Sequence, residues 1–265
     1  MGNETTTVRR FDGQVGIVTG GGSGIGQATA ERLAQEGGRV VLIGRDPEKL
    51  ETVRRRIEAD GGEALAFPAD VASKGAIGEA VAATLDRWGR IDVLVNNAGL
   101  SPRPPKTVIE IEEDDFRRVV DTNLWGVFNC IQAVAPTMLA AEYGRIINVG
   151  SVAYRGEPRL SIYSATKAAL SGLTGALAME LGPHGITLNV VAPGSTPTPL
   201  FESHSDYEDR VARMLPTIPV GRMGDVADQA AAILFFAAPE AGFLTSELLH
   251  VSGGRYRSNN PMGVD

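Results

Sequence analysis

The sequence of 265 residues has few of the side chains that form disulfides and metal sites. Cys130 is its single cysteine, which excludes an internal disulfide and predicts a reducing compartment. The histidines His184, His204 and His250 are scattered, and no cysteine or histidine cluster has metal-ligand spacing. We therefore expect no bound metal. Cys130 stands in the apolar segment VFNCIQAV, which indicates an inert packing role.

Positive charge and long apolar runs are also scarce. The chain has 25 Lys and Arg residues against 32 Asp and Glu residues, a net charge of −7, and no basic run, so a nucleic-acid surface is not expected. No run of about 18 apolar residues indicates a membrane span, and residues 1–10 lack the apolar segment of a signal peptide. The sequence thus predicts a cytoplasmic protein that binds neither nucleic acid nor membrane, with residues 1–10 as a flexible extension.

Short runs rich in β-branched residues alternate with longer segments rich in Ala, Leu and Glu along the whole chain. The predicted strands are 15–19, 39–43, 64–67, 91–95, 145–149, 186–191 and 247–251. The predicted helices are 24–37, 47–60, 73–88, 113–141, 161–182 and 224–238. Apolar strands separated by helices are typical of a doubly wound, Rossmann-type α/β fold, with one parallel sheet of about seven strands and helices on both faces. We expect residues 11–265 to form one domain.

A glycine-rich turn, TGGGSGIG at 19–26, follows the first predicted strand. Such a turn lets the backbone approach a diphosphate, which the next helix stabilises through its dipole and free N–H groups. A triphosphate-binding loop would need Gly-Lys-Ser/Thr, but Gln27 follows Gly26. The glycines are spaced GxxxGxG instead of GxGxxG, so the turn predicts a dinucleotide site of another type. A glycine turn without a ligand is the alternative.

The ordered set of motifs resembles the classical short-chain dehydrogenase/reductase family. TGxxxGxG at 19–26, NNAG at 96–99 and YxxxK at 163–167 occur in the family's order, and the resemblance runs from about residue 11 to residue 254. In general pattern it is closest to 3-oxoacyl-(acyl carrier protein) reductase-like members. It implies hydride transfer between a nicotinamide cofactor and a small ketone or secondary alcohol, with a 3-oxoacyl thioester among the candidates.

The resemblance also implies a cofactor site made from several strand ends. Its residues are Thr19, Gly20, Gly22, Ser23, Gly24, Ile25, Gly26, Arg45, Asp70, Val71, Asn97, Ala98, Gly99, Tyr163, Lys167, Pro193, Gly194, Thr196 and Thr198. By the resemblance, the glycines line the diphosphate, Asp70 and Val71 meet the adenine, and segment 193–198 borders the nicotinamide.

Four residues form the catalytic set that the resemblance implies: Asn123, Ser151, Tyr163 and Lys167. Tyr163 is the general acid/base, Ser151 orients the carbonyl, and Asn123 positions a proton-relay water. Lys167, one helical turn after Tyr163, binds the ribose, and its ammonium is expected to lower the tyrosine pKa by about three units, or roughly 4 kcal/mol. Ser151 stands one position nearer to Tyr163 than is usual in the family, which a shorter loop between 153 and 161 explains. Ser161 is the competing hydroxyl, and for it we expect a helix N-cap role.

The cofactor preference depends on the end of the second strand, VLIGRDPEKL. An NAD site typically has an acidic residue there, whereas this chain has Gly44 followed by Arg45, whose guanidinium suits a 2′-phosphate. We therefore expect a preference for NADP(H). Three alternatives leave NAD(H) open. Asp46 could accept from the ribose if the strand ends later, and Ser23 replaces a basic residue that is common in NADP-dependent relatives. Arg45 could also be an ordinary solvated charge.

The substrate side is less readable. Residues 195–220 are a candidate lid, apolar residues predominate around the site, and no arginine cluster suggests a carboxylate clamp. Whether Tyr154 lines the site is open. Small residues at Ala169, Gly172 and Ala176, together with the resemblance, predict a homotetramer. The competing functions are a non-catalytic dinucleotide sensor on the same fold, an NAD-dependent alcohol or polyol dehydrogenase, and a cofactor-dependent epimerase or dehydratase.

Overall fold

The structure is a computed structural model that describes residues 9–102, 104–202 and 207–255. Seven parallel strands form one sheet in the order β3-β2-β1-β4-β5-β6-β7. The strands are β1 Val15–Thr19, β2 Arg39–Gly44, β3 Glu63–Pro68, β4 Val93–Asn96, β5 Gly144–Val149, β6 Ile186–Pro193 and β7 Leu248–Val251. Every ladder between neighbours is parallel, so the doubly wound fold predicted from the sequence is confirmed.

Helices cover both faces of the sheet. They are α1 Gly24–Gln35, α2 Pro47–Ala59, α3 Lys74–Trp88, α4 Glu113–Val120, α5 Gly126–Ala141, α6 Ser161–Leu181, α7 Pro199–Glu202, α8 Tyr207–Met214 and α9 Val226–Ala237, with short 3₁₀ turns at Val152–Arg155, Gly182–His184, Leu215–Thr217 and Pro239–Ala241. The apolar sides of α1, α2 and α9 form one core, and those of α3, α5 and α6 form the other. The fully buried central strands β1, β5 and β6 lie between the two cores and contribute side chains to both.

The predicted element ends agree with the observed ones to within two residues, apart from one helix. The predicted helix 113–141 contains a π turn, Asp121–Trp125, between α4 and α5. The predicted strand at 91–95 starts only at Val93 in the structure, and the buried Asp92 carboxylate just before it accepts from the Val15 N–H at 2.8 Å. Within the lid region, α7 and α8 were not predicted, since four and eight residues are too few for a periodic signal.

The helical stretch Glu113–Ala141 is the one long apolar helix among the described residues. By length and composition alone it could cross a bilayer, with a mean hydropathy of 1.4 over its most apolar window. Val127, Ile131 and Met138 of this stretch are buried in the second core, so its apolar side has a packing role in this fold.

The central strands are also joined by buried polar contacts directly below the predicted site. Asn96 at the end of β4 donates to the Asn148 Oδ1 atom of β5 at 2.9 Å, and Asn148 donates in turn to Thr174 of α6 at 2.9 Å. All three side chains are buried. Because buried amides that are satisfied only in one arrangement resist displacement, these bonds hold β4, β5 and α6 in a fixed relation.

Candidate active site

The glycine turn links β1 to α1 by a backbone path that side chains would obstruct. Gly20 and Gly24 have positive φ angles of +64° and +56°. A Cβ atom on Gly26 would lie 2.2 Å from the Gly20 carbonyl oxygen, so only glycine allows α1 to begin this close to the turn. The turn therefore presents backbone N–H groups at the carboxyl edge of the sheet.

Thr19 ties this turn to the end of β4. Its buried hydroxyl accepts from the N–H groups of Asn97 and Ala98, both at 3.0 Å. The Asn97 amide donates back to the carbonyl oxygens of Thr19 at 3.0 Å and Gly20 at 3.3 Å. The predicted cofactor residues at 19–20 and 97–98 thus form one hydrogen-bonded unit.

The N-terminus of α1 fits a diphosphate. Ser23 occupies its N-cap position, but its side chain makes no capping hydrogen bond. In contrast, Asp46 caps α2 and Ser73 caps α3 through their side chains. Among the described residues, no side chain accepts from the first-turn N–H groups of α1. Free N–H groups at a helix start favour a bound anion.

A cleft opens beside this turn, at the carboxyl ends of β4, β5 and β6. The predicted site residues that line it are Ile25, Asn97, Gly99, Ser151, Tyr163, Lys167, Pro193, Gly194, Thr196 and Thr198. The cleft thus combines candidate catalytic residues with residues from three predicted cofactor segments. The first and last of these segments are more than 150 positions apart in the sequence.

Ser151 and Tyr163 meet in the cleft. The Ser151 hydroxyl lies close enough to that of Tyr163 to act on its pKa, and the Ser151 Oγ accepts from the Ala153 N–H at 3.1 Å. Ser161 is exposed and does not line the cleft. The N-cap role expected for Ser161 is wrong: Leu160 occupies the cap position of α6, and Ser161 is the first helical residue.

Asn123 is completely buried in the π turn and braces the loop after β4. Its Oδ1 accepts from the Leu100 N–H at 2.9 Å, and its Nδ2 donates to the Leu100 carbonyl at 2.9 Å and to Thr166 at 3.2 Å. A Cβ on Gly99 would lie 3.5 Å from both the Asn123 Oδ1 and the Lys167 Nζ. Gly99 therefore leaves space between these two groups.

The electrostatics of Tyr163 and Lys167 differ from the sequence expectation. The Lys167 Nζ donates to the Val149 carbonyl at 2.7 Å and lies 5.8 Å from the Tyr163 ring centroid. Burial lowers the pKa of Lys167 to about 8. Burial raises the pKa of Tyr163, and the hydrogen bond with Ser151 only partly opposes this. The expected lowering of the Tyr163 pKa is therefore wrong for the cofactor-free chain, because burial disfavours the charged phenolate.

At the second strand, β2 ends at Gly44, as the sequence predicted. Arg45 is exposed, and in the described part of the chain no carboxylate pairs with it. Asp46 accepts from the N–H groups of Glu48 and Lys49, both at 3.2 Å, and these bonds, Lys49 first, lower its pKa. The carboxylate of Asp46 is thus committed to capping α2.

Asp70 and Val71 follow β3 beside the end of β2. Asp70 is exposed and accepts from the Ala72 N–H at 2.9 Å, while Val71 is buried and its carbonyl accepts from Asn129 of α5 at 2.8 Å. A Cβ on Gly126 would lie 2.5 Å from a Val71 methyl group, so Gly126 lets α5 pack against this turn.

The segment after β6 closes the cleft against the glycine turn. The Gly194 N–H donates to the Val251 carbonyl at 2.9 Å, and the Thr196 hydroxyl accepts from Gln229 at 3.0 Å. A Cβ on Gly24 would lie 3.4 Å from Thr198, so the end of this segment borders the start of α1.

Comparisons with known proteins identify the family to which this chain belongs. A family model described as enoyl-(acyl carrier protein) reductase matches residues 20–255. The short-chain reductase protein NovJ of Streptomyces niveus is 40% identical over 256 residues, which cover 95% of this chain and 97% of that protein. The chain belongs to the short-chain dehydrogenase/reductase family.

Further similar proteins cover nearly the whole chain. The (2S)-[(R)-hydroxy(phenyl)methyl]succinyl-CoA dehydrogenase subunit BbsD of Thauera aromatica is 38% identical, covering 91% of this chain and 96% of that protein. The 3-oxoacyl-(acyl carrier protein) reductase FabG of Staphylococcus epidermidis is 40% identical, covering 91% and 98%. The crystal structure of levodione reductase superposes with a TM-score of 0.90 at 32% identity, covering 94% and 99%. This short-chain dehydrogenase/reductase is therefore an NAD(P)-dependent oxidoreductase.

Two cleft residues of this short-chain dehydrogenase/reductase were missed from the sequence. Arg210 of α8 and Arg255, which follows β7, both line the cleft, so the expectation that no arginines gather there is wrong. They are 45 positions apart, and neither stands in a recognisable motif. Tyr154 is not among the lining residues; its ring stacks on His250 with centroids 5.8 Å apart. His204 and part of the candidate lid, 203–206, lie outside the described residues, as do residues 1–8 of the predicted extension.

Proposed function

We propose that this protein reduces a ketone to a secondary alcohol, or catalyses the reverse oxidation, with Tyr163 as the general acid/base. The observation that carries the proposal is that Ser151, Tyr163 and Lys167 line one cleft, with the Ser151 hydroxyl close enough to act on the pKa of Tyr163. A nicotinamide bound in this cleft would supply or accept the hydride. The two hydroxyls suit a carbonyl oxygen, which Ser151 orients while the Tyr163 O–H donates the proton that the alkoxide needs.

Lys167 has two roles in this proposal. Its ammonium supports the phenolate of Tyr163, and in the family resemblance it also binds the ribose. Because its pKa of about 8 lies near neutrality, Lys167 is charged at pH 7 and loses that charge in mildly alkaline solution. Asn123 is a positioning residue, since its amide is engaged with the Leu100 backbone and Thr166.

We further propose NADP(H) as the preferred cofactor. Support comes from the strand end at Gly44, which offers no carboxylate to the ribose hydroxyls, and from the exposed guanidinium of Arg45 beside it. The capping role of Asp46 removes the competing acceptor. A charge-assisted phosphate contact is worth about 1.5–3 kcal/mol, so we expect roughly a ten- to hundredfold preference.

The test of function is a panel of ketones, secondary alcohols, 3-oxoacyl thioesters and one enoyl thioester, assayed with NADPH and NADH. The enoyl thioester is included because the matching family model carries that description. We expect carbonyl turnover in the wild type and a loss of at least about a hundredfold in Tyr163→Phe, with cofactor affinity unchanged. Near-normal turnover of Tyr163→Phe would contradict the mechanism.

The competing function is a non-catalytic dinucleotide sensor. A sensor has no need of Asn123, Ser151, Tyr163 and Lys167 together, and this favours the enzyme. Tight cofactor binding without turnover of any panel member would instead favour the sensor.

We also propose a homotetramer. The exposed face of α6 carries Gly172, beside which a Cβ would meet nothing within 4 Å, and Met179 on the same helix is 82% exposed. Small residues and an exposed apolar side chain suit close helix contact between subunits. Light scattering at micromolar concentration tests this, and the mass of a single chain would refute it.

A further inference from the structure

The cleft has the opposite charge balance from the molecule as a whole. The chain carries a net charge of −7, yet among the described residues the charged side chains that line the cleft are Lys167, Arg210 and Arg255, with Glu157 as the carboxylate. A cleft lined by cations in an acidic protein concentrates anionic ligands and rejects cationic ones. Glu157 lies next to α6, where its backbone N–H donates to Ser164 at 3.1 Å, and it offsets one of the three cations.

Arg210 has hydrogen-bonding capacity that the described protein does not use. Its guanidinium carbon lies 5.4 Å from the Phe201 ring centroid, within cation–π distance of the ring. Its Nε is buried and has no hydrogen-bond partner among the described residues. A buried donor without a partner costs free energy, and an anion in the cleft would satisfy it.

Arg255 reaches the same end of the cleft from a different part of the chain. Its Nη1 donates to the Ser195 hydroxyl at 2.8 Å, and that hydroxyl donates to the Met214 sulfur at 3.2 Å. Met214 follows Arg210 by one turn of α8, so the two residues share a helix face. Arg210 and Arg255 therefore border one region of the cleft, between the lid and β6.

Among the described arginines, eleven have a carboxylate partner, whereas Arg210 and Arg255, like Arg45, are in no ion pair. The paired arginines are Arg9, Arg10, Arg32, Arg39, Arg54, Arg55, Arg56, Arg90, Arg117, Arg159 and Arg222. In the described ranges, which leave out 203–206, no ion pair joins Arg210 or Arg255 to an Asp or Glu, and the Arg210 Nε has no hydrogen-bond partner. Two cations without carboxylate partners that face one cleft are typical of an anion site.

We infer that Arg210 and Arg255 bind an anionic group of the substrate, so that the substrate is a ketone or secondary alcohol with carboxylate or phosphate oxygens remote from the reacting carbon. This inference rests on the proposed function. The cofactor diphosphate is a less suitable occupant, because the uncapped N-terminus of α1 already offers it a site. The anion has two chemical sources, a carboxylate on the reacting acid itself or the phosphates of a coenzyme A thioester.

Matched substrates separate these sources. A 3-oxo acid is compared with its neutral methyl ester, and a 3-oxoacyl-coenzyme A with the N-acetylcysteamine thioester, which lacks the phosphates. We expect the wild type to favour the anionic member of one pair in kcat/KM by at least about tenfold, and the pair concerned identifies the source. Equal kcat/KM within both pairs would overturn the inference, while turnover of the neutral members would still support the proposed function.

Variants then assign the preference to the two arginines. In Arg210→Gln and Arg255→Gln, we expect kcat/KM for the anionic substrate to fall about tenfold or more each, mainly through KM. The neutral partner substrate and the KM for NADPH should not change, and Arg210→Lys should recover part of the loss. Arg213→Gln is the matched control, because Arg213 is an exposed residue of the same helix and does not line the cleft.

Two results would overturn the assignment. An equal loss on the neutral substrate would indicate that the arginines only hold the lid, and a raised KM for NADPH would assign them to the cofactor. Thermal unfolding of each variant, checked against the wild type, separates these outcomes from a failure to fold. Absence of turnover on every carbonyl in the wild type would instead count against the proposed function.

Discussion

Two regions of the cleft differ in the parts of their residues that face it. The glycine region, residues 19–26, 97–99 and 193–198, lies at strand ends and consists mainly of backbone and small side chains. The lid region, formed by α7, α8 and Arg255, consists of long side chains on short helices. Hydrogen bonding in the parallel sheet fixes the position of the backbone at the strand ends. Long side chains on short helices can be replaced by substitution without altering the fold. The first region suits one cofactor class, and the second can change with the substrate.

The largest effect that we expect is in the glycine region, from Gly26→Ala. The added Cβ would lie 2.2 Å from the Gly20 carbonyl, so the turn must shift and its N–H groups lose their alignment. We expect at least about a hundredfold weaker NADPH binding in fluorescence titration, since the loss of two charge-assisted bonds costs about 3 kcal/mol or more. Gly78→Ala is the matched control, because Gly78 is exposed on α3 with open space around its Cβ position. Unchanged binding in Gly26→Ala would show that the turn does not hold the cofactor.

The next effect concerns cofactor choice at the edge of the glycine region. Gly44→Asp/Arg45→Ala adds a carboxylate and removes the exposed guanidinium at the end of β2. We expect the ratio of kcat/KM values for NADPH and NADH to fall roughly ten- to hundredfold. A Cβ on Gly44 would lie 3.3 Å from Leu50, so Gly44→Ala controls for packing. A wild type that already favours NADH would refute the role of Arg45.

A third prediction concerns how the free energy of unfolding depends on pH through Lys167. Burial lowers its folded-state pKa to about 8 from 10.5, so between these values the unfolded chain binds more protons than the folded chain. Stability from this group is therefore present above about pH 10.5 and is lost as the pH falls through 8. In urea unfolding of the cofactor-free protein, we expect wild-type stability, relative to Lys167→Met, to rise by about 1–3 kcal/mol from pH 7 to pH 10.

The variant Lys167→Met should also lose turnover at pH 7, because it lacks the ammonium beside Tyr163. A gain in stability together with a loss of activity is the expected trade-off for a buried catalytic charge. A difference in stability that does not change with pH would show that Lys167 keeps an ordinary pKa in the folded chain.

The smallest effect is expected for Ser161→Ala. Ser161 is exposed on the first turn of α6 and outside the cleft, so stability should change by less than about 0.5 kcal/mol and kcat should not change. Ser151→Ala provides the contrast, because it removes the hydroxyl that lies beside Tyr163 in the cleft. Loss of turnover in Ser161→Ala with retention in Ser151→Ala would exchange the roles assigned to these serines.

Local and periodic features of this protein could be read from its sequence. Seven apolar runs separated by amphipathic segments have few packing solutions, and the parallel sheet follows from them. The glycine turn and the end of β2 at Gly44 were predictable for a related reason, since both depend on residues adjacent in sequence. The family resemblance then supplied the roles expected for Ser151, Tyr163 and Lys167.

Features that depend on contacts between distant segments required the tertiary structure. The π turn at Asn123 follows from its bonds to Leu100 and Thr166, and no periodicity encodes it. The raised pKa of Tyr163 was missed because desolvation depends on the atoms packed around a group, not on its neighbours in sequence. The convergence of Arg210 and Arg255 was missed for the same reason: residues 45 positions apart meet only when β7 and the lid pack on either side of one cleft.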